Sequence, residues 1–448
     1  MEKFRNFLVY LLTFILLSGF LPTPEIQAAT PKIPAVHAHA YVVMDANSGK
    51  TLYSYNSNKK IYPASTVKLM TALVTLDKLS TSKKITITNS MLSQVPKDAA
   101  KLNLKSGSTY SVSNLLHMLL LPSAADAATS LAVGSYGSNK NFIRQMNSKA
   151  KKMGLSKTRF DNTIGLDIGN GYSNTYTTAR DFTILARYAM ANTTIRNIVA
   201  KKSYVVPAAK NKKKFTIKNT NQFYSVSAYR SNLYTIIGTK TGSTAAAGSV
   251  LIATAKDNKG HEIICAFFGN SNKTDLYQDI RSLLDYTFNT YNEGSLSLSK
   301  GFYDTRFRSS NNLICSYYTK GLISGSGDRF YPERKVTQKN LVQTVNKIAK
   351  SKLKTVSSQK YIRVQDFANI LYKAYPQKIT SKEKKKLAKT LKNTKKLSTK
   401  TIEKICILYN SNILPKNFSK KVNTYLTKED MIYIAKNTTS FIKNYSPN

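Results

Sequence analysis

The feature that most constrains this chain is the stretch from residue 234 to 269, YTIIGTKTG followed by AGSVLIATAKDNKGHEIICAFFG. It reads as three strands, the last two joined by a DNKG turn. A second β signal lies far upstream, at residues 41–55, where two β-favouring runs flank an Asn-Ser-Gly turn and predict a hairpin. Helical periodicity fills the interval, over 63–76, 113–120, 124–133, 141–153 (closed by Gly154) and 178–191. An amphipathic helix over 279–291 follows the strands. Strands at both ends with helices inserted between them predict an α+β domain. The sequence FDNTIGLDIGNGYSNTY, 160–176, is too rich in Asn, Asp and Gly for regular structure and predicts a long loop.

Lys3 and Arg5 precede an apolar run from Phe7 to Leu21 and a small-residue site near Ala28. That run is short for a membrane span, so residues 1–29 are expected to be a cleaved secretory signal. The formal net charge is +45, from 68 Lys+Arg against 23 Asp+Glu. A secreted basic protein is expected to gather on an anionic wall polymer or membrane face, and a secretory signal argues against a nucleic-acid partner. Residues 298–448 hold 32 basic and 8 acidic side chains, roughly half the excess in a third of the chain. The expected organisation is therefore an α+β domain at 30–295 and a basic region at 298–448. The three cysteines, Cys265, Cys315 and Cys406, each sit in apolar runs and are expected to be buried free thiols.

None of the four histidines lies in a metal-binding or triad-like context, so no metal or cofactor is expected and any base must be of another kind. In PASTVK, Ser65 and Lys68 are three apart near a helix start, which puts both on one face. A lysine deprotonates a serine only when neutral, which burial or a second cation favours. Such a cation is available as Lys240 in GTKTGSTAAAG, where Gly242 also permits close approach of another backbone or a ligand. In LLLPSAADAATS, Ser123 has two readings. It is a helix N-cap, with Asp126 three residues on, or its hydroxyl faces a reaction.

The order S-T-V-K at 65–68, P-S-A-A-D-A-A at 122–128 and K-T-G at 240–242 resembles the low-molecular-weight penicillin-binding proteins, the serine D-alanyl-D-alanine carboxypeptidases. The stretch from Asn141 to Asp167 resembles the segment those enzymes carry between their second and third motifs, and the similarity covers about residues 35–292. The resemblance implies a DD-peptidase/β-lactamase-like transpeptidase fold, an antiparallel sheet with helices and an inserted helical subdomain. It also implies roles. Ser65 would be the nucleophile, Lys68 its base, and Ser123 part of the proton network. Lys240 would hold Lys68 neutral, Thr241 would bind the substrate carboxylate beside Gly242, and the N–H groups of Ser65 and Ser243 would form the oxyanion hole. Stem peptides of peptidoglycan and β-lactams would be the partners. Two departures stand out. Position 125 is alanine where the family usually has asparagine, and the carboxylate-binding arginine of some members has no counterpart, Lys273 being the nearest cation in its place.

In the basic third, 302–340 resembles an S-layer homology repeat, a module that holds proteins to wall polysaccharide, with weaker echoes at 361–375 and 395–436. The T-R-A-E-like segment of that module stands here as TQKN, RVQD and TKED. A mainly helical wall-binding region is expected, either sugar-specific or held to anionic polymer by charge. Run 382–396 reads as a solvated helix face or linker. Residues 431–442 read as a membrane-surface helix or an ordinary core-facing one. Together these readings predict a wall-associated or membrane-face serine DD-carboxypeptidase. The alternatives are a DD-endopeptidase of cross-links and a catalytically impaired wall-binding homologue. A β-lactamase is disfavoured, since no motif supplies the extra carboxylate.

Overall fold

A computed structural model describes residues 32–167, 175–210, 212–354, 358–377, 379–390, 397–414 and 424–445; the expected signal lies outside them, as do parts of the 160–176 and 382–396 segments. Residues 35–448 form one compact unit.

Its centre is a five-stranded antiparallel sheet in the order β2-β1-β9-β8-β7. The amino-terminal hairpin, β1 (Ala40–Asp45) and β2 (Thr51–Tyr55), joins the late strands β7 (Thr235–Thr244), β8 (Gly248–Lys256) and β9 (Glu262–Asn270). The join is a β1–β9 ladder with Val43 opposite Cys265. Two small antiparallel strand pairs, β3 (Lys84–Thr86) with β4 (Thr109–Ser111) and β5 (Ser203–Val206) with β6 (Phe215–Lys218), lie outside the sheet.

The apolar runs of β8 and β9 are nearly continuous because both sheet faces are covered. Val250, Ile252, Ile264, Ala266 and Phe268 join one core with the inserted helices. Leu251, Ala253, Ile263, Cys265 and Phe267 join another, with Leu276, Ile280 and Leu284 of the helix that follows the sheet. The inserted helices are α1 (Lys68–Lys78), α2 (Asn89–Ser93), α3 (Val112–Leu120), α4 (Ala125–Tyr136), α5 (Asn139–Lys152), α6 (Ala179–Ala191) and α7 (Thr193–Val199). Helix α8 (Lys273–Asn292) covers the second face. It begins six residues before the predicted 279, because Asn272 caps it by accepting from Thr274 N–H. Gly154 closes α5 at φ +74°, as predicted.

Beyond residue 300 the structure is helical: α9 (Asn311–Thr319), α10 (Gln338–Ala349), α11 (Val364–Ala374), α12 (Ser381–Thr390), α13 (Thr399–Asn410) and α14 (Lys428–Lys443). They enclose a core of their own. Three short extended segments close a ring: Val336 N–H donates to Leu426 O, Leu426 N–H to Ile362 O, and Ile362 N–H to Val336 O, at 2.9–3.1 Å. Each segment runs directly into a helix, α10, α14 or α11, so TQKN, TKED and RVQD are three equivalent helix starts. Met431, Ile432, Ile434 and Ala435 of α14 are buried in this core, which decides for the core-facing reading of 431–442. Among the described residues no helix is long and apolar enough to cross a membrane. Cys265 and Cys406 are buried; Cys315, expected to be buried, is only partly so.

Candidate active site

The chain enters α1 through a single 3-10 turn, Ala64–Val67, not the continuous helix expected from residue 63. Ala64 takes the left-handed conformation, φ +48°, a costly setting for a residue with a Cβ. Two glycines explain how the turn is pinned. A Cβ at Gly165 would stand 1.9 Å from Ala64 O, and one at Gly242 would stand 2.9 Å from Ser65 N. The backbone around Ser65 is thus gripped between the 162–165 loop and edge strand β7. That loop is fixed by Asn162 Oδ1, which accepts from the N–H groups of Ile164 (3.1 Å) and Gly165 (2.6 Å).

Lys68, on the first turn of α1, is 2 % exposed. Its Nζ lies 2.9 Å from Ser65 Oγ and donates to Ile164 O at 2.7 Å. Burial, helped by the charge of Lys240, holds its pKa well below the ordinary lysine value. Lys240 is itself 1 % exposed, and burial pushes it down to about 7. Its Nζ donates to Thr241 O at 2.9 Å. Two ammonium groups sharing one dry region oppose each other's charge. A neutral Lys68 keeps one N–H on Ile164 O and turns its lone pair toward the Ser65 hydroxyl.

Ser123 is not the helix cap that its neighbours suggest. Helix α4 starts at Ala125 with Ala124 in the cap position, and Ser123 stands before it at φ +67°. No side chain caps this helix, and the Asp126 carboxylate accepts from Ala127 N–H in its first turn and from the Leu102 and Leu104 N–H groups outside it. That leaves the Ser123 hydroxyl buried and without a partner among the described residues, an uncommon state that calls for an explanation. Ala125 is 1 % exposed, part of the apolar core, with its N–H on Ala100 O at 2.7 Å.

The second and third motifs are joined by Thr220, which sequence reasoning did not single out. Its N–H and hydroxyl both donate to Leu121 O, two residues before Ser123, and its Oγ1 lies 2.6 Å from Thr241 Oγ1. Ser243 is exposed on β7 opposite Ser249, and Thr244 donates to the buried Asp167 carboxylate. The structure therefore gathers Ser65, Lys68, Gly242 and Lys240, and ties Thr241 to the Ser123 loop. Asn162, Ile164, Gly165 and Asp167 also belong to the site; the only sequence signal for them was the stretch FDNTIGLD.

A protein family described as D-alanyl-D-alanine carboxypeptidase matches residues 27–272. The D-alanyl-D-alanine carboxypeptidase of Streptomyces sp. strain K15 is 32 % identical over 276 residues, 59 % of this chain and 91 % of that protein. DacF of Bacillus subtilis is 30 % identical over 264 residues, 57 % of this chain and 64 % of its own length. DacA of Haemophilus influenzae is 30 % identical over 60 % of this chain and 66 % of its own length, so the chain spans just under two thirds of these last two relatives. Among solved structures, the Streptomyces K15 DD-transpeptidase superposes with a TM-score of 0.52 at 32 % identity, covering 58 % of this chain and all of that one. The sheet and inserted helices accordingly have the DD-peptidase fold.

Proposed function

This chain belongs to the D-alanyl-D-alanine carboxypeptidase family, and from that premise we propose that it is a secreted serine DD-carboxypeptidase that trims the terminal D-alanine from peptidoglycan stem peptides. The observation that carries the reading is the 2.9 Å contact between Lys68 Nζ and Ser65 Oγ in a desolvated pocket shared with Lys240. Neutral Lys68 takes the Ser65 proton as Oγ attacks the carbonyl between the two D-alanines. The N–H groups of Ser65 and Ser243 receive the developing oxyanion, and Thr241 holds the substrate carboxylate. The C–N bond then breaks. The leaving amine is protonated through Lys68 and Ser123, leaving an ester on Ser65 that water hydrolyses with Lys68 again as base. A β-lactam enters the same first step and stalls as the ester. None of these steps calls for a metal or cofactor.

Incubation with a fluorescent penicillin and with a D-Ala-D-Ala-terminated peptide, beside Ser65→Ala, tests the assignment. Ser65-dependent labelling with D-alanine release is expected. Labelling without release from the peptide favours an endopeptidase if a cross-linked dimer is cut, and an impaired binder, as Ala125 suggests, if it is not.

For the basic region we propose a boundary near residue 298 and a role in holding the enzyme to an anionic wall polymer. Its charge and the ring of three equivalent helix starts support this. The full chain is expected to pellet with sacculi that retain their anionic polymer and not with stripped ones. Equal pelleting with both would refute it.

A further inference from the structure

The junction between the sheet and the C-terminal helical region is built around one carboxylate. Glu262, the first residue of β9, is 4 % exposed and receives two guanidinium groups, Arg196 from α7 and Arg306 from the region after residue 298. Burial alone would raise its pKa, but Arg306 and Arg196 outweigh that and hold it down at about 2. Arg306 also donates to Asn47 Oδ1 at 3.0 Å. Arg196 reaches Asp328 at 3.3 Å and lies 4.4 Å over the Tyr303 ring. The partner Arg306 of Glu262 and the partners Asp328 and Tyr303 of Arg196 thus all come from the C-terminal region.

Helix α7, which carries Arg196, ends at Val199, and Val199 is linked to the active-site strand twice, once directly and once through Asn219 and Thr220. Its side chain fills the space that a Cβ on Gly238 would need, at 2.8 Å, two residues before Lys240. Its carbonyl accepts from Asn219 Nδ2 at 3.2 Å, and the next residue, Thr220, makes the 2.6 Å contact with Thr241. We propose that Arg196 and Glu262, closed over by Arg306 and Asp328, are positioning residues for Lys240 and Thr241. The C-terminal region then does more than tether the enzyme: it completes the support of the strand that grips substrate. A direct contact chain of this kind can shift the reacting geometry without touching substrate. The inference rests on the carboxypeptidase reading for its kinetic consequence and on the fold alone for its structural one.

The test uses the full chain with Arg306→Gln, Arg306→Lys as the conservative rescue, and Asp328→Asn, a gentler change at a part-exposed group. Amide hydrogen exchange over residues 219–224 and 235–244 is followed well below each melting temperature, together with KM and kcat for a D-Ala-D-Ala peptide. We expect exchange in both segments to rise at least fivefold in Arg306→Gln, with partial recovery in Arg306→Lys. KM should rise about fivefold, more than kcat falls. In a Thr220→Val background the KM effect should shrink, because the link to Thr241 is already cut. Unchanged exchange in both segments for both Arg306→Gln and Asp328→Asn overturns the proposal, as does a drop in melting temperature with KM unmoved. If Arg306→Gln fails to fold, Asp328→Asn decides through exchange over residues 219–224, because Asp328 also pairs with Lys256, which lies opposite Thr235 of β7. If the wild-type chain turns over no peptide, the carboxypeptidase reading fails, and hydrogen exchange still decides this one.

Discussion

Gly242 packs so closely on Ser65 that a Cβ at position 242 would stand 2.9 Å from the Ser65 backbone nitrogen and 3.0 Å from Ala64 Cβ. The neighbour is backbone already pinned on its other side by Gly165, so it cannot give way cheaply. Gly242→Ala should therefore displace the Ser65 N–H proposed to meet the oxyanion. A shift approaching 1 Å costs on the order of 100-fold in acylation. The clash should lower the melting temperature modestly, since the better strand propensity of alanine offsets only part of its cost. Stopped-flow labelling with a fluorescent penicillin, beside a thermal melt, reads both; unaltered acylation would count against the geometry.

The paired lysines make a pH prediction with a definite sign. Lys240 lowers the pKa of Lys68, so Lys240→Gln lets Lys68 rise back toward its ordinary value. The acid limb of the acylation profile should then move to higher pH, with the largest loss at neutral pH. Burial is the greater cause of the Lys68 shift, so the displacement should be partial. Stability should change as well. Burial pushes Lys240 from the ordinary lysine value of 10.5 down to about 7 in the fold, so the unfolded chain binds more protons between those values. Stability therefore rises with pH across that window. Lys240→Met should flatten the rise and, near pH 7, stabilise the fold by roughly 0.5–2 kcal/mol while abolishing activity. Chemical denaturation at pH 7 and 10 checks the slope.

Ser123 separates catalysis from stability more cleanly. Its buried hydroxyl has no partner to lose, so Ser123→Ala should leave the melting temperature unchanged or slightly higher. If the hydroxyl shuttles the proton, acylation or deacylation should fall by roughly 100-fold or more. A variant equally active and equally stable would remove Ser123 from the mechanism.

The Ser65–Lys68 pair was legible because a three-residue spacing at a helix start is a local geometric fact, and the three late strands because apolar runs broken by DNKG are a local pattern. What escaped the sequence is non-local. Lys68 is oriented by the carbonyl of Ile164, 96 residues away, and a carbonyl leaves no mark on residue type. Thr220 looks like any loop threonine until the fold sets it against Thr241 and Leu121. Ser123 misled in the opposite direction. Ser-x-x-Asp has the form of a cap, but the helix begins two residues later, with Asp126 turned outward to the N–H groups of Leu102 and Leu104. The hairpin at 41–55 was visible, whereas its insertion beside β9 was not, because strand pairing across more than 200 residues depends on the whole core.

Glu262 supplies the last prediction. Its carboxylate pKa falls from 4.5 in the reference state to about 2 in the fold, so its ionised form stabilises the native chain above about 4.5. That contribution is lost as pH falls through about 2, because the unfolded chain takes up the proton first. Glu262→Gln leaves Arg196 and Arg306 facing each other in a buried site, with Arg306 stripped of its counter-charge and Arg196 left with Asp328 alone, a carboxylate it shares with Lys256. Removing one partner of a buried pair costs roughly 3–5 kcal/mol, so the variant should melt much lower at pH 7. Its stability should also depend less on pH between 4.5 and 2 than that of the wild type. Urea titrations at pH 7, 4 and 3 give both numbers. Parallel acid profiles for the two proteins would mean that the carboxylate is not held by these arginines.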